Sequence, residues 1–91
     1  MNQKFLMCVL RNEIDCVGVL LDTGIKPRIY KNAPIKHAAA HGYAELIQML
    51  INAGAKVNIE GDAPIQLAVR NNHADATRVL INNGARVTGG G

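Results

Sequence analysis

Tryptophan is absent from this 91-residue chain, and aromatic residues make up only 3% of it. A core of large rings is therefore excluded, and Leu, Ile, Val and Ala must do the packing in a chain that is 48% apolar. Long apolar runs are missing as well. None comes near the roughly 20 residues that a membrane-spanning helix needs, so no membrane role is expected. The stretch from Phe5 to Leu10 is cut off by Arg11 and is too short for a signal peptide. A reducing, cytoplasmic setting is the expectation. Cysteine is scarce too: Cys8 and Cys16 stand eight apart, with neither CxxC nor CxxxC spacing. They read as small buried apolar residues, with no disulfide framework and no metal centre. Charge of one sign forms no run. The net charge of +3 comes from scattered Lys and Arg, which mildly favours a partner with an acidic surface and supports nucleic-acid binding poorly.

What is present is a beat. Gly24, Gly54 and Gly84 recur every 30 residues, each closing a similar phrase: Val19-Leu20-Leu21-Asp22-Thr23-Gly24, Met49-Leu50-Ile51-Asn52-Ala53-Gly54 and Val79-Leu80-Ile81-Asn82-Asn83-Gly84. A fixed period of this length marks a repeat array, in which each unit buries its apolar face against its neighbours. A second phrase keeps the same step, from Ala33-Pro34-Ile35 to Ala63-Pro64-Ile65. Pro34 and Pro64 suit the first turn of a helix, with Asn32 and Asp62 two residues earlier as N-caps. Gly42 and Asn72 tolerate the left-handed backbone that ends a helix. A second helix follows, from about Ala44 to Asn52 in the middle unit, with Leu46, Ile47, Leu50 and Ile51 on one face. The first unit repeats the plan with helices over about Lys4–Arg11 and Ile14–Asp22, and both cysteines then fall at core positions.

This unit, with its Pro-Ile start, Gly-containing turn, apolar Leu pair and closing Gly-Ala-x-Val, resembles the ankyrin repeat. The resemblance covers residues 4 to 88 as three repeats, at about 1–31, 32–61 and 62–88, in a single domain spanning residues 1–91. Residues 89–91 read as a frayed tail or an expression remnant. It implies an all-α helix-turn-helix solenoid. The family's Thr-Pro-Leu-His phrase is here Ala33-Pro34-Ile35-Lys36 and Ala63-Pro64-Ile65-Gln66, so the Thr and His that tie neighbouring loops are missing. The family period is about 33 residues, and at 30 the loops between repeats are expected to be clipped to plain turns. Arrays of this short period resemble ankyrin proteins of large viruses, phages and some intracellular bacteria.

The resemblance also implies a concave binding face on the first helix of each unit. The residues it assigns there are Met7, Leu10 and Arg11, then Lys31, Asn32, His37, Ala40 and His41, then Asp62, Leu67, Arg70 and Asn71. The alternative for each is an ordinary solvated surface. His37 and His41, at i and i+4, have the spacing of two zinc ligands, but no third ligand has an obvious claim on the spot. Surface contact, with some pH sensitivity, is the better reading. His73 falls at a turn where the family often carries a structural histidine. Phe5, Met7, Leu10 and Ile14 make the first unit apolar for a terminal repeat, which leaves a homodimer and a partner contact both open. Thr77, Arg78, Asn82 and Asn83 suggest a polar C-terminal cap. Gly18, inside a helix, is read as drift at a tolerant site, with a close approach by another backbone as the alternative.

No nucleophile stands beside a base, and no phosphate-cradling glycine loop or paired carboxylate occurs, so no enzyme and no cofactor are expected. Repeats filling the whole chain point to a small stand-alone inhibitor or adaptor that binds another protein, such as a viral or phage protein acting on a host factor. The alternatives are a self-associating structural module and, with less support, a weak nucleic-acid binder.

Overall fold

Each repeat is two helices, and the turn chemistry that stops them explains the beat. In the computed structural model the described residues are 2–26 and 29–86, with the backbone alone for residues 2 and 29–31. They form α1 (Asn2–Leu10), α2 (Ile14–Asp22), α3 (Ile29–His41), α4 (Ala44–Asn52), α5 (Ala63–Arg70) and α6 (Ala74–Asn82). No strand occurs among them, and no helix is long and apolar enough to cross a membrane.

Helices α1, α3 and α5 end alike. A left-handed residue follows within two positions of each helix end: Asn12 (φ 55°), Gly42 (φ 76°) and Asn72 (φ 62°). Its N–H and the next one fold back on the helix, as in Asn12 N to Val9 O (3.0 Å) and Glu13 N to Cys8 O (2.9 Å). Tyr43 N to Ala38 O and His73 N to Ala68 O repeat the second bond at 2.9 Å. This is the Schellman closure, which satisfies carbonyls the helix end would otherwise orphan. Gly54 and Gly84 close α4 and α6 the same way, at φ 114° and 100°. A Cβ on either would meet nothing within 4 Å, so glycine is required there by backbone conformation and not by space.

Packing follows from the period. Helix α3 lies between α1 and α5, while α4 lies between α2 and α6, giving an inner and an outer row. Phe5, Ile35 and Ile65, spaced by 30, are almost wholly buried, as are Ala38, Ala39, Ala68, Leu46, Ile47, Leu50 and Leu80. Each large apolar side chain buried this way contributes about 1.5–3 kcal/mol. The link between α4 and α5 is short. Glu60, Gly61 and Asp62 take positive φ in succession, and Ala55 and Val57 tuck into the core. The expected clipping of the loops to turns is what the described residues display.

Three expectations need correction. Asp62 does precede α5, but it is left-handed (φ 61°) and makes no side-chain cap; its carboxylate accepts from Asn58 Nδ2 at 2.7 Å. Asn32, left-handed at φ 67°, falls within α3 and not ahead of it, and its Oδ1 is buried without a hydrogen-bond partner among the described residues. The apolar N-terminal cluster is smaller than expected, because Phe5 belongs to the core and Ile14 packs against it. Met7 and Leu10 alone of the four remain exposed.

The C-terminal end is also less polar than a cap. Val69 is 47% exposed, whereas Ala39 and Val9, one and two repeats earlier, are fully covered. Ile81 beside it is 45% exposed, and the two border a groove with His73 and Thr77. At Gly18 no backbone comes close: the nearest atom to a Cβ there would be the Met49 methyl at 3.3 Å. The expected tail at residues 89–91 lies outside the described residues.

Candidate binding face

A 30-residue step carries each inner-helix residue to its counterpart in the next repeat. Three such columns reach the surface: Met7, His37 and Leu67; Leu10, Ala40 and Arg70; Arg11, His41 and Asn71. Arg11, His41, Arg70 and Asn71 are exposed, with Met7 and Leu10 at 46% and 43%. His37, Ala40 and Leu67 are half-buried. Most buried columns stay apolar from repeat to repeat, as in Phe5, Ile35 and Ile65, while these three change at every step. Asp62, in the loop before α5, and Asn32, within α3, are half-buried beside the row. The side chain of Lys31 lies outside the described residues.

The histidines do not stand alone. The rings of His37 and His41 are 4.1 Å apart between centroids, and Tyr43 stacks on His41 at 5.5 Å. Burial, followed by the neighbouring His41, holds His37 below its ordinary pKa, against a hydrogen bond that the ring donates to the Leu10 backbone, which pulls it up. His37 is therefore uncharged at neutral pH, and its buried Nε2 has no partner among the described residues. No third metal ligand joins the two histidines among the described residues.

His73 has a different task. Its Nε2 lies 3.0 Å from the Ala40 carbonyl, and its ring fills the space where a Gly42 side chain would be, 2.5 Å from that Cβ position. One histidine thus ties the third repeat to the turn of the second.

Sequence reasoning missed one group. Cys8, Glu13 and Cys16 bring two sulfurs and a carboxylate oxygen within 4.8 Å of one another. Burial, then the Cys16 thiol, then Glu13 push the Cys8 thiol up to about 11. The signal was hidden because the cysteines lie on two antiparallel helices joined by a turn, so proximity comes from the hairpin and not from linear spacing.

A family model described as ankyrin repeats, in three copies, matches residues 5–89. No curated protein and no solved structure matches the chain.

Proposed function

Because the chain belongs to the ankyrin-repeat family, whose repeats generally mediate protein–protein interactions and are typically non-catalytic, we propose that it binds a partner protein through its inner helix face. The observation that carries this reading is the contrast between buried columns that stay mostly apolar and exposed ones that change in polarity. A frame that repeats its core while varying Met7, His37 and Leu67, or Arg11, His41 and Asn71, is built to present a surface. Arg11 and Arg70 flank the histidine stack, giving a mildly basic stripe suited to an acidic partner surface. With fingers reduced to turns, contact falls on α1, α3 and α5 together with Met7 and Leu10. The mechanism is occlusion or bridging in the cytoplasm, as an inhibitor or adaptor without chemistry of its own. The short period favours a viral or phage setting with a host protein as the partner.

The test is an affinity pull-down from the native host with the wild type, Arg70→Glu and His41→Ala. Reduced recovery of one protein by both variants supports the face. Equal recovery by all three removes it.

Self-association is the second reading, favoured by the exposed Met7 and Leu10. Leu10→Asp should then return a dimer to monomer mass in light scattering while helical circular dichroism is kept. A mass unaffected by the substitution counts against an interface there.

A further inference from the structure

From the convergence of Cys8, Glu13 and Cys16 we infer a binding site for a thiophilic divalent cation, Zn²⁺ being the biological candidate, at the N-terminal end of the stack. The inference is independent of the inner-face reading.

Three features carry it. First, the donor set is right: two thiols and a carboxylate are zinc ligands, and their ligand atoms already lie within 4.8 Å of one another. With metal–ligand bonds of about 2.0–2.3 Å, tetrahedral ligands sit roughly 3.5–3.8 Å apart, so closure needs a contraction of about 1.3 Å at most. Second, the backbone delivers the donors. Glu13 N bonds Cys8 O at 2.9 Å, which folds the turn over the first cysteine. Glu13 is also the N-cap of α2 but makes no side-chain cap, which leaves its carboxylate available, and Cys16 follows in the first turn of that helix.

Third, the set is particular to one repeat. Where the first repeat has Cys8, Glu13 and Cys16, the second has Ala38, Tyr43 and Leu46, and the third has Ala68, His73 and Ala76. Three positions have diverged together in one repeat, and all three now offer metal-binding atoms. The group opens onto a groove bordered by Lys4, Met7 and Arg11. Two thiolates and a carboxylate around a dication carry a net charge of −1, which Lys4 and Arg11 offset. Water from the groove completes a fourth position. On binding, Zn²⁺ forms two Zn–S bonds and one Zn–O bond while two thiol protons pass to solvent; no electron is transferred.

The full chain, reduced and kept under argon, is titrated with Co²⁺ as a spectroscopic stand-in and then displaced by Zn²⁺. One equivalent of Co²⁺ should bind with thiolate-to-cobalt charge-transfer absorption in the near ultraviolet, and Zn²⁺ should abolish it. Cys8→Ala and Cys16→Ala should each weaken binding by on the order of 100-fold or more, since losing even an outer-shell partner of a metal ligand costs 10–100-fold. Alanine already fills positions 38, 68 and 76 of the same frame, all fully buried, so these variants keep the fold. Glu13→Gln, at an exposed turn position, is a third variant that leaves the core untouched and should also weaken binding. No charge-transfer band in excess Co²⁺, wild-type affinity in either Cys variant, or one metal per two chains would each overturn the site.

Discussion

The two joints of this stack are held in different ways. Between the second repeat (α3–α4) and the third (α5–α6), polar contacts supplement the packing: His73 Nε2 to Ala40 O at 3.0 Å, Asn83 Nδ2 to Gln48 Oε1 at 3.0 Å, and Asn58 Nδ2 to Gly84 O at 3.1 Å. Between the first repeat (α1–α2) and the second, apolar packing dominates among the described residues, with His37 at the Leu10 backbone and the Met49 methyl over Gly18. Leu10 and Ala40 are equivalent positions, 30 residues apart, yet the histidine beside each comes from a different place: an inner helix in one case, a turn in the other. A repeating backbone thus permits different fastenings. Among the described residues, the C-terminal joint is specific in direction, whereas the N-terminal joint rests mainly on apolar packing, which is non-directional.

The largest expected effect comes from breaking the polar joint. Gly42→Ala places a Cβ 2.5 Å from the His73 ring and forces alanine to φ 76°. The left-handed backbone alone costs roughly 1–2 kcal/mol, and losing the histidine bond adds about 1 kcal/mol. Asn72→Ala, equally left-handed, carries the backbone term and so measures the difference. Urea unfolding should rank Gly42→Ala well below Asn72→Ala in stability, and equal losses would show that the His73 contact contributes nothing.

At the other joint the expected effect is a dependence on pH. His37 has a folded pKa below its unfolded value of about 6.5. Between those two values the unfolded chain binds the proton more readily, so stability rises with pH. The contribution is intact above about 6.5 and is lost as pH falls from there to the folded pKa. His37→Gln should flatten this slope in urea midpoints measured from neutral to mildly acid pH. A slope unchanged by the substitution would place its origin elsewhere.

Gly18→Ala should act least, and in the opposite direction. Removing a mid-helix glycine stabilises by roughly 0.5–1 kcal/mol, and the contact it creates is with the flexible end of Met49. A net loss of stability would mean that the first joint is packed too tightly to yield.

Most of the frame is legible in the sequence, because caps and turns act locally. The glycine beat and the Asn-or-Gly turn positions gave the helix ends, and α4 runs from Ala44 to Asn52 as its apolar spacing implies. What was not legible depends on partners across the fold. Phe5 resembles an exposed apolar residue until the folded core encloses it. Asn32 and Asp62 are good N-caps by type, but three positive-φ residues in the shortened loop before α5 turn Asp62 toward Asn58 instead. Val69 looks like a core residue, and is one in its two earlier counterparts, which the next repeat covers. The cysteine pair needed the hairpin, not the spacing, to be seen. The binding-face residues were reached by carrying a family pattern over, and the structure adds the aromatic stack of His37, His41 and Tyr43.

The central claim, that the inner row and not the outer one meets the partner, is tested most directly by site-specific photo-crosslinking in the native host. A photoreactive residue is placed at His41 or Arg70 on the inner face, and at Glu45 or Arg78 on the exposed side of the outer helices. The account predicts one crosslinked protein species from both inner positions and little from either outer position. Crosslinks that form equally from both rows, or mainly from Glu45 and Arg78, would contradict it.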